Sequence, residues 1–144
     1  MAEAAAHTIQ VDIVSAEGEI FSGPAEMVFA PASMGELGIA PRHAPLLTLL
    51  KAGEVRVKVP GGEEQSFFVG GGALEVQPNH VTVLADTALR AKDIDEAAAL
   101  SAKQRAEEAL KNREGDITQA EALAELARAA VQLKMIEKLR KIRR

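Results

Sequence analysis

Three histidines, His7, His43 and His80, are the first candidates for chemistry, and they fall in separate segments with no metal-ligand spacing between them. They read as solvated or hydrogen-bonded side chains, and no metal site is expected. No Ser or Thr stands in a nucleophile-elbow context, and local spacing places no pair of carboxylates for acid–base work. The absence of Cys removes the thiol nucleophile, the disulfide and the thiolate metal site together. Gly70-Gly71-Gly72 is not a phosphate loop, because no Gly-Lys-Ser/Thr follows and the next element reads as a strand. Such glycines serve a tight turn or a close approach of strands. The expectation is a chain without an active site of its own.

Two features remain. The first is Gly35 to Thr48, too apolar for an ordinary loop and too broken by Gly35, Gly38, Pro41 and Pro45 for a helix. It reads as short strands joined by tight turns, with Glu36, Arg42 and His43 carried at the turns. Leu37, Ile39, Leu46, Leu47 and Leu49 are expected to need burial. The second is a basic end. Arg128, Lys134, Lys138, Arg140, Lys141, Arg143 and Arg144 face one acid, Glu137, giving +6, whereas the rest of the chain carries −10. Cations near a helix C-terminus favour the helix dipole, but seven exceed that purpose. A basic end on an acidic body points to an acidic surface, whether within this protein, on a partner, on nucleic acid or on lipid.

The elements that would position these residues divide in two. Over residues 1–87 the pattern is β. Ile9, Val11 and Ile13 alternate with Gln10 and Asp12, Val55, Val57 and Val59 with Arg56 and Lys58, and Val81 and Val83 flank Thr82. Turn signals recur at short intervals, which predicts an antiparallel β-sandwich or flattened barrel. Over residues 88–144 the pattern is helical. Asp93 to Glu96 and Thr118 to Glu121 look like two capping boxes. Arg113-Glu114-Gly115-Asp116 separates the helices, Gly115 being a natural terminator. A break this short returns the chain as an antiparallel helical hairpin, so the fold class is α+β.

The hairpin seam is expected between Leu123, Leu126, Ala130, Leu133, Ile136 and Leu139 on one helix and Ala97, Ala98, Ala102, Ala106, Ala109 and Leu110 on the other. At about 0.8 kcal/mol per buried methylene-sized group, an alanine-lined seam is a weak clamp. The hairpin therefore either stays docked or opens. No apolar run approaches the ~20 residues of a membrane span, and the N-terminus lacks the pattern of a signal peptide, so a soluble, cytosolic chain is expected.

The run G-E-L-G-I-A-P-R-H-A-P-L-L-T, Gly35 to Thr48, closely resembles the signature segment of the epsilon subunit of the bacterial F-type proton-transporting ATP synthase. Gly71 to Pro78 and Val81 to Asp86 resemble the same family in the expected order and spacing. The resemblance implies a non-catalytic rotor subunit on the cytoplasmic face of the bacterial inner membrane. Its partners would be the gamma subunit and the c ring, with alpha and beta met by an extended hairpin that inhibits ATP hydrolysis. Carried over by position, Glu36 and His43 would touch the c ring, with Gly35, Leu37 and Gly38 shaping the turn. Met34 stands where relatives often carry an acid. The seven cations from Arg128 to Arg144 would meet an acidic segment of a beta subunit.

Some members bind ATP on the compact hairpin through Ile/Leu-Asp-x-x-Arg-Ala. Here Ile94-Asp95-Glu96-Ala97-Ala98-Ala99 keeps Asp95 but has Ala98 in place of the arginine. Alanine cannot supply a bidentate phosphate contact, so weak or absent ATP binding and no cofactor are expected. A nucleic-acid-associated adaptor using the basic helix is the alternative, opposed by the acidic body and the scarcity of aromatic stacking residues.

Overall fold

The computed structural model describes residues 7–112 and 118–143, with the Arg143 side chain excepted. The expected Arg113–Asp116 break and Arg144 lie outside the described residues. The chain divides into two units, Met1–Arg90 and Ala91–Arg144.

The first unit contains β1 (Ile9–Ser15), β2 (Gly18–Ala25), β3 (Met27–Ala32), β4 (Gly35–Ile39), β5 (Leu46–Lys58), β6 (Glu64–Gln77), β7 (His80–Ala85) and β8 (Ala88–Arg90). The ladder runs β2-β1-β7-β6-β5-β3-β4, and β8 adds to β6. The two long strands belong to both layers of the sandwich. The first half of β5 pairs with the second half of β6, which joins β7, and the remaining halves join β3 and β8. Every pairing is antiparallel except β1 with β7, which is parallel. Because Ala88–Arg90 pairs with Phe67–Val69, the β unit runs three residues past the expected boundary at 87.

Period-2 alternation fills the core. Ile9, Val11, Ile13, Val28, Val55, Val57, Phe67, Val69, Leu74, Val76, Val81 and Val83 are all buried. Each such side chain contributes about 1.5–3 kcal/mol of transfer free energy. The same alternation corrects one expectation. In Leu46-Leu47-Thr48-Leu49-Leu50 only alternate residues can face the core, so Leu50 is buried while Leu47 is 75% and Leu49 68% exposed.

The second unit starts with a 3-10 turn (Ala91–Asp93), followed by α1 (Glu96–Asn112) and α2 (Gln119–Arg143). Asp95, rather than the expected Asp93, caps α1, its Oδ1 accepting the Ala98 N–H at 3.2 Å. Asp93 is already committed to the 3-10 turn. Thr118 caps α2 as expected, its Oγ1 accepting the Glu121 N–H at 3.2 Å.

Arg105 pairs with Glu125 at 2.9 Å, and Arg140 pairs with Glu96. Low numbers on α1 thus meet high numbers on α2, which fixes an antiparallel hairpin. The buried seam keeps Ala106 from the expected set, but its other fully buried positions lie outside that set. Ala99 and Ala106 on α1 and Ala122 and Ala129 on α2 are buried, with Met135, while Leu123 is 52% exposed. A seven-residue alanine spacing on both helices lets the backbones approach closely while burying little area per contact.

Candidate functional site

Glu36 lies inside β4, opposite Pro31, and not at a turn as expected. The turn of the β3–β4 hairpin is Ser33-Met34. Leu37 and Gly38 also belong to the strand, and only Gly35, at φ +132°, shapes the reversal. The Glu36 carboxylate is held by Arg56, whose Nη2 donates to Oε1 at 3.2 Å. Arg56 in turn stacks 4.2 Å above the Phe29 ring and reaches Glu64 at 3.6 Å. The exposed carboxylate is therefore positioned by a stacked guanidinium, which restricts its rotamers. Sequence reading missed Arg56 because the partners lie 20 residues apart and meet only through the β3–β5 pairing.

His43 lies in the 40–45 connection, where its Nδ1–H donates to the Ala44 carbonyl at 2.8 Å. That bond occupies Nδ1 and leaves Nε2 as the second polar atom of the ring. The Arg42 N–H donates to the Pro78 carbonyl at 2.8 Å, pinning this connection to the β6–β7 turn. The structure records no hydrogen bond or ion pair between Glu36 and His43 among the described residues. They are two separate polar points on one unit and cannot act as an acid–base pair.

The outer face of the layer β2-β1-β7-β6-β5 is ordered in rows by its register. Ser22, Asp12, Thr82, Glu75 and Leu47 form one row, and Val14, Leu84, Ala73 and Leu49 form the next. The first row holds a polar cluster not foreseen from the sequence. Ser22 Oγ donates to Asp12 Oδ1 at 2.6 Å, Gln10 Nε2 donates to the same oxygen at 3.3 Å, and His80 Nε2 donates to Oδ2 at 2.6 Å. The Ser22 bond is the largest cause holding the Asp12 carboxyl below its ordinary 3.8. Partial burial opposes it, and His80 and Gln10 add to it.

A depressed folded-state pKa means that the unfolded chain binds more protons at acid pH. The contribution of Asp12 is therefore present above 3.8 and is lost as pH falls below that value through the folded pKa. Asp12→Asn should lower stability at neutral pH and flatten the acid limb of the stability–pH curve. Chemical denaturation between about pH 2.5 and 7 checks this, and parallel curves for both proteins would contradict it.

On the helical unit, Lys134, Lys138, Arg140 and Lys141 are exposed and Arg128 is partly covered. Lys134, Lys138 and Lys141, spaced by four and three, share a helix face. Arg140 is committed to Glu96 across the hairpin. Asp95 uses its carboxylate as a helix cap, and Ala98 offers no cation beside it. Arg90, the nearest upstream arginine, instead donates to the Ile20 carbonyl at 2.6 Å and lies 5.6 Å over the Phe67 ring. No group of three potential metal ligands and no membrane-spanning helix is found among the described residues.

Residues 8–91 match the family model described as the beta-sandwich domain of the ATP synthase delta/epsilon chain, and residues 92–137 match that of its long alpha-helix domain. The chain is 67% identical over 136 residues to the ATP synthase epsilon chain of Nitrosococcus oceani, covering 94% of this chain and 97% of that one. It is 62% identical to ATP synthase epsilon chain 1 of Methylococcus capsulatus, with the same coverage of 94% and 97%. Among solved structures it is similar to a chain of the Euglena gracilis mitochondrial ATP synthase (OSCP, F1 and c-ring), at TM-score 0.68 and 18% identity. That alignment covers 96% of this chain and 82% of the other. A chain of the Tetrahymena thermophila ATP synthase central stalk and c-ring aligns at TM-score 0.55 and 18% identity, covering 89% and 96%.

Proposed function

The chain belongs to the ATP synthase delta/epsilon chain family, and on that premise we propose that it is the epsilon rotor subunit of a bacterial proton-transporting ATP synthase. The match of both units to relatives named epsilon chain, at about two-thirds identity over nearly the whole length, is the observation that carries this reading. The subunit forms and breaks no bonds. Its β unit links the gamma shaft to the c ring, so that proton flow and catalysis elsewhere share one rotation. It sits with the complex on the cytoplasmic face of the inner membrane.

Torque transmission needs a stiff coupler. A single eight-stranded ladder with two strands common to both layers supplies it, because neither layer can slide without breaking β5 and β6. Glu36, clamped by Arg56, and His43 on the pinned 40–45 connection are the contacts offered to the c ring. Gly35, Leu37 and Gly38 form the strand that carries Glu36.

The helical unit is the regulatory part. The alanine seam is a weak clamp, and α2, with 25 residues, reaches about 37 Å at ~1.5 Å per residue. Opened, it extends its cations between gamma and the alpha and beta subunits, where Lys134, Lys138 and Lys141 meet an acidic beta segment. Arg128, Arg140, Arg143 and Arg144 add four further cations to the same stretch of sequence. The hairpin works without bound ATP, since Asp95 is engaged as a cap and no arginine accompanies it.

Glu36→Ala and His43→Ala should each weaken rebinding of this chain to a complex stripped of it by about five-fold, near 1 kcal/mol. Proton-driven ATP synthesis should fall in parallel. Unchanged affinity in both variants would remove the c-ring assignment while leaving the family membership intact.

A further inference from the structure

Arg42 is the one non-glycine residue with positive φ among the described residues, at +68°. It follows Pro41 in a turn, and proline followed by a positive-φ residue is the arrangement of a type II turn, whose third position favours glycine. The cost that any Cβ brings to a left-handed position is thus carried by a residue whose side chain is exposed and does no core packing. Its N–H donates to the Pro78 carbonyl, but that bond needs only a backbone and any residue type except proline would provide it. The guanidinium itself has no partner among the described residues.

The surroundings make this cation distinctive. The 40–46 connection and the 77–80 turn pinned to it contain no other permanently charged side chain. The whole β unit is acidic, with eleven acids against five basic residues over 1–90. On this acidic unit an arginine with no acidic neighbour in its own turn, its backbone held by Pro41 and the Pro78 bond, offers a planar fork beside His43. Backbone strain retained at an exposed position points to a role for the side chain. The geometry points to Arg42 as an anchor of the docking edge that receives a carboxylate of the partner subunit, in the forked geometry that guanidinium favours. This inference rests on the reading of the Glu36–His43 region as a docking edge.

The test uses the stripped complex and compares the parent chain with Arg42→Gly and Arg42→Lys. Arg42→Gly should weaken rebinding about ten-fold at low ionic strength, with the gap narrowing at high salt. Its own Tm should hold or rise by a few degrees, because glycine adopts the turn without strain. Arg42→Lys should bind between the two, keeping the charge and losing the fork.

Rebinding of Arg42→Gly at parental affinity would overturn the inference, as would a loss equal at all salt concentrations. If Glu36→Ala and His43→Ala weaken rebinding while Arg42→Gly does not, only the Arg42 assignment fails. If all three rebind as the parent does, the docking edge itself is wrong.

Discussion

Ending the chain after Asn112 should raise the ATP hydrolysis rate of the assembled complex while proton coupling persists. The truncation removes α2 and all seven cations of the basic end, and leaves the β unit with its complete strand ladder. Inhibition by an inserted helix is a coupling between a rotor state and catalysis, and such couplings are worth about 1–3 kcal/mol, or roughly five-fold or more in rate. The seam itself resists opening only weakly: Ala99, Ala106, Ala122 and Ala129 bury little area, and the cross-hairpin ion pairs Arg105–Glu125 and Arg140–Glu96 are largely solvent-exposed and worth little. Hydrolysis by membranes carrying parent or truncated chain measures the effect. An unchanged rate would remove the inhibitory role of the helical unit.

Replacing Gly72 with valine should lower the melting temperature of the β unit by about 12–24 °C, the consequence of roughly 3 kcal/mol in a domain of this size. Gly72 has φ +134°, and a Cβ there would lie 2.0 Å from the Leu84 carbonyl oxygen and 3.0 Å from Ala85 Cα. Both obstacles are backbone atoms of the neighbouring strand β7, so no side-chain rotation relieves them. The close approach occurs where β6 passes from one layer to the other, opposite Leu50 on β5 and Ala85 on β7. Gly23→Ala is the matching control, since a Cβ there meets only the Phe21 ring, at 3.6 Å. Thermal unfolding followed by circular dichroism separates the two. A Gly72→Val protein melting within about 2 °C of the parent would show that the crossover tolerates a side chain.

The strands were legible because burial on one face writes a period of two into the sequence, as in Ile9-Gln10-Val11-Asp12-Ile13. The same rule failed for Leu47 and Leu49, where apolar residues on both faces hide the parity, and register against Glu75 and Ala73 decides which face is outward. The parallel pairing of β1 with β7 joins residues about 70 positions apart and leaves no local signal. In the hairpin, alanines are so frequent that several faces look equally apolar, and contact with the second helix selects Ala99 and Ala106. The cap at Asp95 was hidden by its neighbour Asp93, since either aspartate suits an N-cap. For the candidate site, Gly35, Glu36 and His43 could be named from the run itself. The Arg56 clamp and the Asp12–Ser22–His80 cluster are products of strand pairing and could not. Arg42 carried a signal that went unused, an arginine after proline at a turn position that favours glycine.

The most direct test of the rotor assignment is proton-driven ATP synthesis by inverted membrane vesicles whose complex lacks this chain, with the chain or residues 1–90 alone added back. Synthesis should be absent or low without it and should return with either form, because the β unit carries the mechanical link. Full synthesis in its absence, or no recovery on adding the full-length chain, would contradict a coupling role for this protein.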